Sequence, residues 1–181
     1  MGRFLVVAGL VAVLVAACVA TGDIEFFVGA SHPPEAVREV EGIVEAAHRH
    51  GAEETALAVG ELLHVAEVRG GRAGLRLLRE GLPPLAARLV DELPATLGEI
   101  RAVEVATPLG AACRQAALRL LERDGWVFRE LAGGKPTAKA IERFVAGYEA
   151  NARGYEADVE KCLALASADE RPAVAHLMGA L

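Results

Sequence analysis

Serine is nearly missing from this chain: Ser31 and Ser167 are the only two in 181 residues. A serine hydrolase needs its nucleophile beside a histidine and an acid, and Ser31-His32 has no partnered acid at a readable spacing. A glycine-rich phosphate loop is also lacking. Gly70-Gly71-Arg72-Ala73-Gly74 is not followed by a lysine and a serine or threonine, and no strand precedes it. Aromatic residues make up only 4% of the chain, which favours helices packed closely through small side chains. The net charge is −6, and lysine and arginine are scattered among the acids without forming a basic stripe, which argues against a nucleic-acid partner. Strand signals are confined to residues 24–28, and there is no repeat of fixed period. These absences point away from an enzyme.

What the chain does have begins at its first residue. Met1-Gly2-Arg3 is followed by an unbroken apolar run over residues 4–20, and Thr21-Gly22-Asp23 ends it. A positive lead before an apolar stretch marks a segment handed to the export machinery. Within the run stands Leu14-Val15-Ala16-Ala17-Cys18, which resembles a bacterial lipobox. That resemblance implies cleavage before Cys18 and lipidation of that cysteine, leaving the body outside the cytoplasm on the cell membrane. Seventeen apolar residues also lie at the low end of what spans a bilayer, so an uncleaved anchor is the competing reading. A buried core segment is the third, and the terminal position counts against it.

Behind a connector at residues 21–33, residues 34–181 read as one all-α domain, a helical bundle. Pro33-Pro34 opens a helix that reaches His50, with Gly51 as its stop. A second covers residues 53–69 and ends at Gly70-Gly71. The pattern then predicts a short helix over residues 73–80 stopped by Gly81, a restart at Pro83-Pro84, and a kink or break at Pro94. Thr107-Pro108 caps the next helix, which is expected to stop at Gly125 so that Trp126-Val127-Phe128 plug one end of the bundle. After the turn at Gly133-Gly134-Lys135-Pro136, apolar positions from Ile141 through Val145, Tyr148, Ala152, Tyr155, Val159 and Cys162 to Ala166 alternate steps of four and three. That is a heptad seam. A last helix, with Asp169 as its cap, covers residues 170–178.

Two constellations carry candidate chemistry. Glu45-Ala-Ala-His48 and Glu61-Leu-Leu-His64 each set a carboxylate and an imidazole on one helical face. The spacing resembles the Glu-x-x-His element of ferritin-like di-iron proteins, and that resemblance implies an iron or zinc site at Glu45, His48, Glu61 and His64. The two elements fall on consecutive short helices, unlike the family, and a plain hairpin does not bring them into register; otherwise no cofactor is expected. With Cys18 lipidated, Cys113 and Cys162 would remain as a candidate disulfide in a compartment that permits one. Folding the hairpin at residues 125–136 sets Cys113 opposite residues 148–155, about 10–20 Å short of Cys162, so two buried thiols are the alternative. The expected role is that of a membrane-tethered binding or scaffold protein, engaging a protein partner or a copy of itself. A single-span protein with lateral helix partners is the other reading.

Overall fold

The computed structural model describes residues 34–181; the apolar run, Cys18 and the connector lie outside the described residues. Six helices follow one another: α1 (Glu35–His48), α2 (Ala52–Arg69), α3 (Gly71–Ala102), α4 (Pro108–Ala132), α5 (Ala138–Leu163) and α6 (Arg171–Met178). No strand occurs among the described residues, so the fold is all-α. No helix among them is long and apolar enough to cross a membrane.

The organising element is α3. Its 32 residues run about 48 Å at 1.5 Å per residue. The breaks expected at Gly81, Pro83-Pro84 and Pro94 do not occur: all lie inside one helix. Leu78, Leu82, Ala86, Leu89, Leu93, Leu97 and Ile100 recur at steps of three and four and are all buried. An interior proline costs about 3 kcal/mol, whereas each buried leucine contributes roughly 1.5–3 kcal/mol. The stripe therefore outweighs the prolines, and Pro84 and Pro94 face solvent. Gly81 serves a contact: a Cβ there would lie 2.7 Å from Leu62 Cδ2 on α2.

Two shorter helices run in succession antiparallel to α3. Arg49 Nη1 meets Glu99 Oε2 at 3.0 Å, Thr55 Oγ1 donates to Glu92 Oε2 at 3.2 Å, and Ala66 lies against Gly74. Between α1 and α2, Gly51 turns the chain at φ 75°, a conformation that suits a residue without Cβ. At the other end of α1 the Glu39 carboxylate accepts from the amides of Ala106 and Thr107 and from the Thr107 hydroxyl. Thr107 in turn caps α4, accepting from the Gly110 amide at 3.0 Å. Burial raises the Glu39 pKa, but the bonds from Thr107 and Ala106 outweigh it, and the carboxyl sits below its ordinary range.

Helix α4 does not stop at Gly125. It continues to Ala132, because Gly125 is buried and a Cβ there would lie 2.2 Å from Leu93 Cδ2. The glycine marks a close approach of α3 and α4, not an end. Val127 and Phe128 are accordingly core residues, whereas Trp126 is 68% exposed on the flank of the helix, so the expected aromatic plug is not formed. The turn at residues 133–137 stands as expected. The α6 start is set by Ser167 and Glu170 bonding each other reciprocally (Ser167 N to Glu170 Oε2, 2.9 Å; Glu170 N to Ser167 Oγ, 3.3 Å), a capping box that takes the place expected of Asp169.

Two core clusters result. One gathers Val40, Ile43, Ile100, Leu109, Cys113, Cys162, Val174 and Met178. The other gathers Val59, Leu82, Leu89, Phe128, Leu131, Ile141 and Phe144.

Two glycine substitutions should have opposite signs. A Cβ on Gly74 would lie 2.1 Å from the Ala66 carbonyl oxygen, whereas a Cβ on Gly98 meets nothing within 4 Å. Gly74→Ala is expected to destabilise by about 1–3 kcal/mol, and Gly98→Ala to stabilise by about 0.5–1 kcal/mol through helix propensity. Urea unfolding of both variants at one pH checks the pair.

Candidate functional site

The four candidate metal ligands are not drawn together. Glu45 is exposed on α1, and His48 sits half-buried at its end with Nε2 3.2 Å from the Ala180 carbonyl oxygen. Glu61 and His64 are exposed on α2. Residues near His48 lie beside Glu99 and residues near Glu61 beside Gly81, which are about 27 Å apart along α3. Among the described residues no group of three or more potential ligands is close enough to hold a metal.

Polar and reactive side chains concentrate instead where α4 meets α5. The five aromatic residues of the described chain, Trp126, Phe128, Phe144, Tyr148 and Tyr155, are all on these two helices. Partners pair off in antiparallel order. From the turn inward they are Phe128 with Phe144 (ring centroids 5.0 Å, edge to face), Val127 with Gly147, Asp124 with Asn151, Arg123 with Gly154, and Arg119 with Asp158. Gly147 and Gly154 let α4 side chains cross α5: a Cβ would fall 3.1 Å from Val127 at the first and 2.5 Å from Arg123 at the second.

Cys113 and Cys162 end the same register. Both residues are buried as free thiols in one core cluster, and Cys162 Sγ donates to the Asp158 carbonyl at 3.2 Å. The expected offset of 10–20 Å is thereby corrected. It came from turning the hairpin too early; extending α4 to Ala132 moves the turn and slides Cys113 into line with Cys162.

Two carboxylates in the seam differ in kind. Asp158, with its side chain 6% exposed, meets Lys161 Nζ at 2.8 Å, Arg123 Nη2 at 3.2 Å and Arg119 Nη1 at 3.3 Å. The Lys161 hydrogen bond leads in holding its pKa below the ordinary range. Asp124 has only the amide of Asn151 at 3.0 Å and the nearby charge of Arg123. Burial pushes its carboxyl up to about 6 despite them. Tyr148, buried next to it, is pushed up to about 12 by burial and by that negative charge.

On the outer side of this seam lies an open cleft of about 460 Å³ bordered by Arg119, Arg123, Trp126, Gly147 and Asn151. The exposed indole stands at its edge. Sequence reasoning missed this site because Trp126 and Asp158 take their environments from the register, not from their neighbours in the chain. The turn residues contribute a second surface feature. Arg79 Nε donates to the Pro136 carbonyl at 3.1 Å, fastening the α4–α5 turn to α3 about 12 Å from that helix's start. Residues 67–80 and 129–143 hold eight basic and four acidic residues, against ten basic and nineteen acidic in the rest of residues 34–181. These two segments are therefore net positive, whereas the rest of the described chain is net negative.

No protein-family profile, curated protein sequence or solved structure matches this chain.

Asp124 makes stability fall with rising pH. Its folded pKa of about 6 lies above the ordinary 3.8, so the folded state binds the extra proton between those values. Stability declines across that window by on the order of 3 kcal/mol. Asp158 and Glu39, held low, act oppositely and lose their contribution as pH falls through the acid range. Asp124→Asn is expected to flatten the decline between about pH 4 and 6 and to raise stability at pH 7, read from urea midpoints across pH.

Proposed function

We propose that this chain is an exported, N-terminally tethered helical binding protein that holds a protein partner against the α4–α5 face at Trp126. The observation that carries the reading is the indole itself. It is 68% exposed on a well-packed helix, beside an open cleft flanked by Arg119 and Arg123. Tryptophan and arginine are the residue types on which binding energy concentrates at protein interfaces. The helix that presents it is fixed by buried Gly125, Val127 and Phe128, so the ring is displayed without an ordering cost to its backbone. The tether rests on the resemblance of Leu14-Val15-Ala16-Ala17-Cys18 to a lipobox, with Cys18 as the lipidated residue. No enzymatic role is assigned.

Trp126 is the only tryptophan in the chain, so its emission reports on this face alone. Full-length protein carrying a photo-crosslinking residue in place of Trp126 is expected to give a discrete protein adduct in cells. The same residue at Glu142, exposed elsewhere on α5, is expected to give none. Trp126→Ala should weaken association with the captured partner by roughly tenfold or more with little change in melting temperature. Absence of an adduct from position 126 would overturn the binding face. The tether has a separate check: the intact mass of protein recovered from membranes should lack residues 1–17 and carry lipid, and Cys18→Ala should abolish both changes.

A further inference from the structure

We propose that Cys113 and Cys162 are an oxidation site that closes to an intramolecular disulfide joining α4 to α5 beneath α6. The geometry is independent of the binding face and of the tether. Both thiols are buried in one core cluster, and they occupy opposed positions in an antiparallel register held by Asp158 with Arg119 and Asp124 with Asn151. A disulfide requires Cα atoms within about 7 Å and side chains that point at each other, and facing positions on close-packed helices are where that requirement is met when α4 and α5 approach closely. Val174 and Met178 of α6 belong to the same cluster. Tyr155, whose hydroxyl donates to the Met178 carbonyl at 2.5 Å, packs against the same cluster. Helix α6, fastened to α5 by that bond, is the part of the cluster's cover that opens in this proposal, and Tyr155 is its latch.

The oxidant is a small-molecule disulfide, RSSR, for which oxidised glutathione is the probe. When α6 lifts, the Cys162 thiolate attacks one sulfur of RSSR. A mixed disulfide forms and RS⁻ leaves. Cys113 then gives up its proton, and its thiolate attacks the Cys162 sulfur of the mixed disulfide, releasing the second RS⁻. Two protein thiols are oxidised, one RSSR is reduced to two RSH, and the protein loses two hydrogens. Cys162 is suited to the first step because interaction with Cys113 holds its pKa below the ordinary thiol value, while the same interaction and burial push Cys113 up.

The test uses the full chain with Cys18→Ala, so that only this pair of cysteines remains. Reduced protein is incubated with oxidised glutathione, unfolded in acid, alkylated and weighed. The expected product has lost two hydrogens and takes up no alkylating reagent until it is reduced. Its melting temperature should exceed that of the reduced form by roughly 5–15 °C. Tyr155→Phe should speed the oxidation by roughly three- to tenfold through loss of one hydrogen bond on the cover. A product that stays fully alkylatable at equilibrium, a stable single glutathione adduct, or an oxidised form that melts below the reduced one would each overturn the proposal. Closure in the tube with reduced cysteines in cells would leave the site standing and count against export.

Discussion

Gly125 brings the backbone of α4 against Leu93 of α3, where a Cβ would fall 2.2 Å from the Leu93 methyl. Because the helix passes this point without bending away, it runs on to Ala132, and the turn into α5 comes seven residues later than a glycine stop would place it. Every cross-strut between α4 and α5 inherits that displacement. Phe128 finds Phe144, Asp124 finds Asn151, Arg119 finds Asp158, and Cys113 finds Cys162. A turn at Gly125 would have shifted these pairs by about two helical turns and left each group without its partner.

The seam also illustrates which term wins when charge is buried. Removing a carboxylate from water costs several kcal/mol unless its neighbours repay it. Asp158 is nearly inaccessible yet meets three cations within 3.3 Å, so the ionised form prevails and its pKa falls. Asp124, one strut away, is supported by a single neutral amide and a more distant arginine, so the desolvation cost prevails and its pKa rises. The same residue type on the same interface thus takes opposite signs, decided by the count of donors within reach.

Much of the architecture was legible in the chain. The all-α class, the glycines between α1 and α2 and between α2 and α3, the Thr107-Pro108 cap, and the turn at Gly133-Gly134 could each be read from local chemistry. What could not be read were the places where a local breaker is overruled by packing. Gly81, Pro83, Pro84 and Pro94 look like stops until Leu78 through Ile100 are seen to form one buried stripe. Gly125 looks like a stop until Leu93 is set against it. The heptad positions were right for Ile141 and Cys162, but the fully buried α5 residues also include Phe144 and Asp158. No local pattern marks an aspartate for burial when its two arginine partners are thirty-nine and thirty-five residues away.

The segments near the Arg79–Pro136 bond give the molecule an electrical direction. They carry four more positive than negative charges and the remainder nine more negative than positive, separated along a rod whose longest helix is about 48 Å. Such a body has a large moment aligned with its own long axis. Near a charged surface it feels a torque before it makes any contact, over the roughly 8–10 Å that physiological salt leaves unscreened.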